Sequence, residues 1–194
     1  HRTDYCDETC YNVKLYKIYP NMANRDDRCE TIWAKLNRHN SNFTKFFSRK
    51  RKQTSRVRHM TRGEAFKTVT DVYRVKTMCL LNPDQLWWIP TRAWRNPRLK
   101  ALIEKEVMPL DNAAVNASFD PSNTDDEWKM MIDSDWNIMF YGDDEMTHTP
   151  KGSRLFDCPK TGKGIKGHCQ ICKAGCFKKI TMGQQSFVKL HQHT

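Results

Sequence analysis

Cys158, Cys169, Cys172 and Cys176 stand in the pattern C-x10-C-x2-C-x3-C, and thiolates so spaced can close around a metal ion or an iron–sulfur cluster. The C-x2-C pair wraps two sulfurs about one centre while backbone N–H groups turn towards them. Gly162, Gly164, Gly167 and Gly175 permit the positive-φ turns that this wrapping needs. Lys160, Lys163, Lys166, Lys173, Lys178 and Lys179 offset the negative charge of several thiolates. Two disulfides are the competing use of the same residues; a metal or cluster site is the expectation. Zinc favours sets of four cysteines, or of three cysteines and a histidine, in paired knuckles, whereas Cys158 stands alone. Iron–sulfur sites accept C-x2-C beside C-x3-C with one distant Cys, and Pro159 beside Cys158 is a common feature of such sites. The expected cofactor is therefore an iron–sulfur cluster of the 4Fe–4S type, with zinc as the alternative. His168 is expected to hydrogen-bond beside the site rather than to ligate.

Cys6 and Cys10 form a second pair, C-x3-C, while Cys29 and Cys79 lie alone in helical sequence. A disulfide scaffold spreads its bridges and lacks so large a core, so a reducing cytoplasm is expected. The net charge is +11, from 33 Lys and Arg against 22 Asp and Glu, which suits an anionic partner such as nucleic acid. Its densest stretch includes Arg49, Lys50, Arg51 and Lys52, the candidate nucleic-acid contacts. Trp87, Trp88 and Trp94 are stacking surfaces if exposed, but are expected in the core. No nucleophile–base pair, Gly-rich phosphate loop or carboxylate dyad is apparent, so no reaction is assigned. His59, His148, His191 and His193 show no ligand spacing beyond H-x-H at the end of the chain.

These residues need a scaffold. Cys29 to Phe47 reads as a helix that leads into the basic stretch. Arg56 to Met60 reads as a strand, Ala65 to Leu81 as a helix, and Gln85 to Pro90 as a buried strand. A helix from Arg98 to Val107 follows with Pro97 at its start, then a strand from Asn112 to Phe119. Thr124 caps a helix from Asp125 to Ile132, and Asn137 to Tyr141 is the fourth strand. Arg154 to Asp157 reads as one more strand, and Ile180 to Leu190 as a closing strand or hairpin. Strands alternating with helices predict an α/β chain with a parallel sheet, either a partial (β/α) barrel or a small open sheet. Functional groups then gather at the C-terminal strand ends, among Thr61, Arg62, Glu64, Thr91, Arg92, Asp120 and Asp143. The expected division is a core over 1–150 carrying the N-terminal cysteine pair, with a cysteine-rich segment over 151–194 packed on it. No apolar run approaches the ~20 residues that span a bilayer, so no membrane partner is expected. With a polar start no signal peptide is expected, and the lack of an initiator Met leads us to expect a missing N-terminal piece.

Cys6…Cys10-Tyr11, His59-Met-Thr-Arg-Gly63-Glu64, Ile89-Pro-Thr91-Arg92 and Cys158-Pro159…Cys176 follow one another along almost the whole chain. In this order they resemble a phage protein family named for a numbered mycobacteriophage gene product. The same order is similar to a reduced radical-SAM partial barrel, in which a C-x3-C-x2-C set binds one cluster and many members carry a second, C-terminal cluster. That resemblance implies a cluster at Cys6 and Cys10, with Val13 where the third cysteine would stand. It implies a contact from Glu64, in the Gly-Gly-Glu position, to S-adenosylmethionine. It also implies a phage-type iron–sulfur protein, redox-active or enzymatic, in the cytoplasm of an infected bacterial host. The alternative is a zinc-stabilised, basic nucleic-acid-binding protein.

Overall fold

The computed structural model describes residues 4–9, 11–36, 45, 55–59, 63–142, 145–146, 148–150, 153–158, 169–170, 172, 175–177 and 185–191. Its helices are α1 (Asp4–Thr9), α2 (Tyr11–Ile18), α3 (Pro20–Lys35), α4 (Val69–Leu80), α5 (Pro97–Glu106) and α6 (Asp125–Ile132). Its strands are β1 (Arg56–Arg58), β2 (Leu86–Thr91), β3 (Ala113–Phe119), β4 (Asn137–Tyr141), β5 (Arg154–Asp157) and β6 (Ser186–Leu190). All pair in parallel in the order β1-β2-β3-β4-β6-β5, and the sheet curls into a half-barrel. The expected partial barrel is what the chain forms.

Parallel neighbours need crossovers, and α4, α5 and α6 carry the chain from each of the first three strands to the next. Their starts are written locally. Thr68 and Asp71 form a reciprocal capping box on α4, as do Thr124 and Glu127 on α6. Asn96 Oδ1 accepts from Arg98 N at 3.0 Å and Leu99 N at 3.2 Å, with Pro97 opening α5.

Period-two alternation sorts the strand side chains onto two faces. Trp87, Ile89, Val115, Phe119, Phe140 and Phe187 meet the helices in the main core. Trp94 is buried there too and stacks on Phe119 with centroids 4.7 Å apart. Trp88, Met139, Val188 and Leu190 occupy the opposite, concave face in a second apolar patch. The tryptophans are thus core residues rather than exposed stacking surfaces.

Three local expectations differ from the structure. The helix expected from Ala65 starts at Val69: Ala65 and Phe66 are buried in the approach, and their apolar spacing imitates a helical turn. The helix expected over Cys29 to Phe47 is α3, which starts at Pro20 and ends at Lys35, with Leu36 extended behind it. Phe43, Phe46, Phe47 and the candidate nucleic-acid residues Arg49, Lys50, Arg51 and Lys52 lie outside the described residues. The expected closing strand or hairpin is a parallel strand, β6, inserted between β4 and β5. The segment over 151–194 therefore supplies two strands of the one sheet.

The C-terminal end of α3 is tied to α4 by side chains. Arg74 donates from Nε to Leu36 O and from Nη2 to Ala34 O, each at 2.8 Å, and Trp33 Nε1 donates to Asp71 Oδ1 at 2.8 Å. His59, just past β1, lies between Trp33 and Trp87 with ring centroids 5.6 and 6.4 Å away. Its Nε2 is buried without a hydrogen-bond partner among the described residues. Burial pushes its pKa down from 6.5 to about 4, against a weaker upward pull from Asp71. The folded value is below the unfolded one, so the unfolded chain takes up the proton first as pH falls. His59 thus contributes fully above pH 6.5, and the contribution is lost between pH 6.5 and about 4. At 1.36 kcal/mol per unit the loss is about 3 kcal/mol. Urea denaturation at pH 7 and pH 4.5 should show this fall in the native chain, and His59→Phe should flatten it. An equal fall in both proteins would assign the pH dependence elsewhere.

Candidate metal centre on the concave face

The described cysteines of this segment are spread along the concave face rather than all gathered at the C-terminal strand ends. Cys158 directly follows β5, donating from its backbone N to Lys189 O at 2.8 Å, and its side chain packs against the apolar patch of Trp88, Met139, Val188 and Leu190. Cys176 is buried in that patch, in a short 3-10 turn over Gly175–Phe177. Asn116 Nδ2 on β3 donates to Cys176 O at 3.2 Å and anchors the turn to the middle of the sheet. A Cβ at Gly175 would lie 2.2 Å from Ser186 Oγ and 2.4 Å from Ser186 Cβ, so only glycine lets the turn lie this close to β6. Gly175→Ala should cost about 1–3 kcal/mol through overpacking and displace Cys176. Wild-type stability with full metal content in this variant would show that the turn has room to spare.

Cys169 and Cys172 are held at the other edge, on β1. Arg56 Nη1 donates to Cys169 O at 3.0 Å and to Cys172 O at 2.5 Å. Gln170, inside the C-x2-C pair, donates from Nε2 to Arg56 O at 2.8 Å and accepts from Ser55 Oγ at 3.1 Å. The Arg56 guanidinium also lies 5.5 Å from the Phe177 ring centroid, beside Cys176. Charge, backbone and aromatic contacts thus clasp this segment to an edge strand that would otherwise be open.

The four cysteines share one electrostatic neighbourhood. Burial pushes the Cys176 thiol up to about 12, and the nearby Cys158, Cys172 and Cys169 push the same way, against its own backbone hydrogen bond. Cys79 is also pushed up to about 12, but by burial alone, as befits an inert core thiol. These five cysteines and the exposed Cys29 are free thiols. Among the described residues no three His, Cys, Asp or Glu side chains converge closely enough for a single ion. Around one zinc the sulfurs would sit about 3.8 Å apart, from ~2.3 Å bonds in a tetrahedron. Four thiols are a donor set that either a zinc ion or an iron–sulfur cluster can take.

The C-terminal strand ends carry a different arrangement. Glu64 accepts from Phe66 N at 3.0 Å, from Arg92 N at 2.8 Å and from the Thr91 hydroxyl, joining the loop after β1 to the end of β2. Gly63 before it has φ +82°, a conformation that suits glycine. Arg92 Nη2 meets Asp120 Oδ2 at 2.5 Å. Four of the residues expected at this edge are thus linked in one network; Thr61, Arg62 and Asp143 lie outside the described residues.

Cys6 belongs to α1, and Cys10 lies outside the described residues. The Tyr5 hydroxyl, also on α1, is 3.2 Å from where a Cβ on Gly142 would be, so α1 approaches the C-terminal end of β4. His168 and the lysines between Cys158 and Cys169 are likewise not described. The residues that sequence reasoning missed are Arg56, Gln170 and Asn116. Gln170 had a signal in its position within C-x2-C; Arg56 was submerged in a basic stretch. No helix among the described residues is long and apolar enough to cross a membrane. No protein family, curated protein or solved structure matches this chain.

Proposed function

We propose that this chain is an iron–sulfur protein, in which Cys158, Cys169, Cys172 and Cys176 hold a cluster of the 4Fe–4S type against the concave face of a half-barrel. The observation that carries the reading is that Cys176 and Cys158 meet in one apolar patch while Arg56, whose guanidinium lies 5.5 Å from the Phe177 ring next to Cys176, holds Cys169 and Cys172. Such a cluster supplies one-electron transfer when bound. The chain's own residues supply the rest: Arg56 holds the carbonyls of Cys169 and Cys172, and Asn116 holds that of Cys176. The apolar patch of Trp88, Met139 and Val188 limits water at the site. The resemblance of the sequence to phage proteins and to radical-SAM partial barrels supports the same reading, with Cys6 and Cys10 as ligands of a second site. Glu64 already accepts from three donors, two on Oε1 and one on Oε2, so a contact to S-adenosylmethionine would use the remaining acceptor site on Oε2.

Anaerobic purification followed by iron, sulfide and zinc analysis tests the proposal. A brown protein with broad absorption near ~400 nm and iron matched by sulfide is expected. A colourless protein carrying one zinc per chain would replace the cluster with a structural zinc site.

A further inference from the structure

Trp88 lies on β2 facing the concave side, 5% exposed, and its indole Nε1 has no hydrogen-bond partner among the described residues. The ring is fixed from two sides: Phe177 meets it edge-on at 6.0 Å, and the Arg58 guanidinium lies 4.6 Å from its centroid. Buried indole N–H groups nearly always find an acceptor, and leaving one unpaired costs about 1–3 kcal/mol. The patch around this ring consists of Met139, Val188, Leu190 and Cys176, with Cys158, Tyr141 and Phe177 at its margin, so apart from the Tyr141 hydroxyl its side-chain acceptors are sulfurs.

We infer that the Trp88 N–H donates a hydrogen bond to a sulfur of the group held by Cys176 and Cys158, and that Trp88 is a positioning residue which raises the reduction potential of that group. This rests on the cluster reading above. Hydrogen bonds to cluster or ligand sulfurs stabilise the more negative, reduced state, so losing one lowers the potential. Trp87, the next residue on the strand, supplies the control. Its Nε1 is also buried without a partner among the described residues, but its ring faces the helices.

The experiment compares the native protein with two variants, Trp88→Phe and Trp87→Phe, by iron content and redox titration. Placing benzothienylalanine at position 88 keeps the ring volume and removes only the N–H, which guards against misfolding of the Phe variant. The expected result is full iron content with a lower midpoint in both position-88 variants. At fixed potential the reduced-to-oxidised ratio should fall about fivefold, the equivalent of one ordinary hydrogen bond. Trp87→Phe should leave the midpoint unchanged. A brown native protein whose midpoint is unmoved at position 88 would overturn this inference alone. A colourless native protein would overturn the cluster reading and this inference with it.

Discussion

If the four cysteines hold the proposed cluster, Cys176→Ser should strip it: iron content and absorption near ~400 nm should both fall to background, where Cys29→Ser should keep both. Cys176 has the least freedom of the four ligand candidates. It is buried, its turn is pinned by Asn116, and the glycine before it presses on Ser186. A serine oxygen at this point is a poor ligand for iron, and the turn leaves little room for a water to serve instead. Cys29 lies exposed on α3 and belongs to no such neighbourhood. Because a cluster on these cysteines would tie β5, the 3-10 turn and β1 together, loss of metal should also loosen the C-terminal segment. Hydrogen exchange at Lys189 and Leu190 in the apo and loaded forms would register it. Iron retained at the native level in Cys176→Ser would remove this residue from the ligand set and shift attention to Cys6 and Cys10.

The second large effect is expected at the C-terminal strand ends. Asp120 is fully buried, and Arg92, 13% exposed at its side chain, donates to it from the neighbouring strand end. Ser122 also donates to Asp120 Oδ1, from its backbone N at 2.9 Å and its hydroxyl at 2.5 Å. Arg92→Leu leaves the carboxylate buried without its counter-charge, a change that costs about 3–5 kcal/mol. The double variant Arg92→Leu/Asp120→Asn should recover a good part of that loss, because the buried charge goes with its partner. Urea titration reads both, as a fall in the midpoint at unchanged slope followed by partial recovery. A loss below about 1 kcal/mol in the single variant would mean that water reaches Asp120 and that the pair behaves as a surface ion pair.

Much of the scaffold was legible because its signals are local. Thr124 with Glu127, and Asn96 with Pro97, state helix starts within four residues, and the structure places α6 and α5 where those residues require. The strand at Asn137–Tyr141 is a short apolar run of the kind that parallel sheets bury on both faces. The same logic could have placed the last strands. Ser186-Phe-Val-Lys-Leu190 is apolar enough to be internal, whereas Arg154-Leu-Phe-Asp157 has charge at both ends and leaves Leu155 exposed, as an edge strand can. Read for two-sided burial, the pair points to β6 inside and β5 outside. The approach to α4 misleads for an equally physical reason: Phe66 is buried by tertiary packing, and a propensity reading cannot distinguish that from a helical face.

By itself, then, the sequence determined the alternation of strands and helices, the parallel sheet and the chemistry available to four cysteines, because each depends on neighbours a few positions away. Tertiary structure decided where that chemistry stands. Strand order β4-β6-β5, the seating of Cys176 on the concave face, and the clasp of Arg56 and Gln170 on Cys169 and Cys172 all join residues from 32 to 116 positions apart. Contacts at such separations are selected by which buried polar and apolar groups satisfy one another, and no spacing along the chain records that choice.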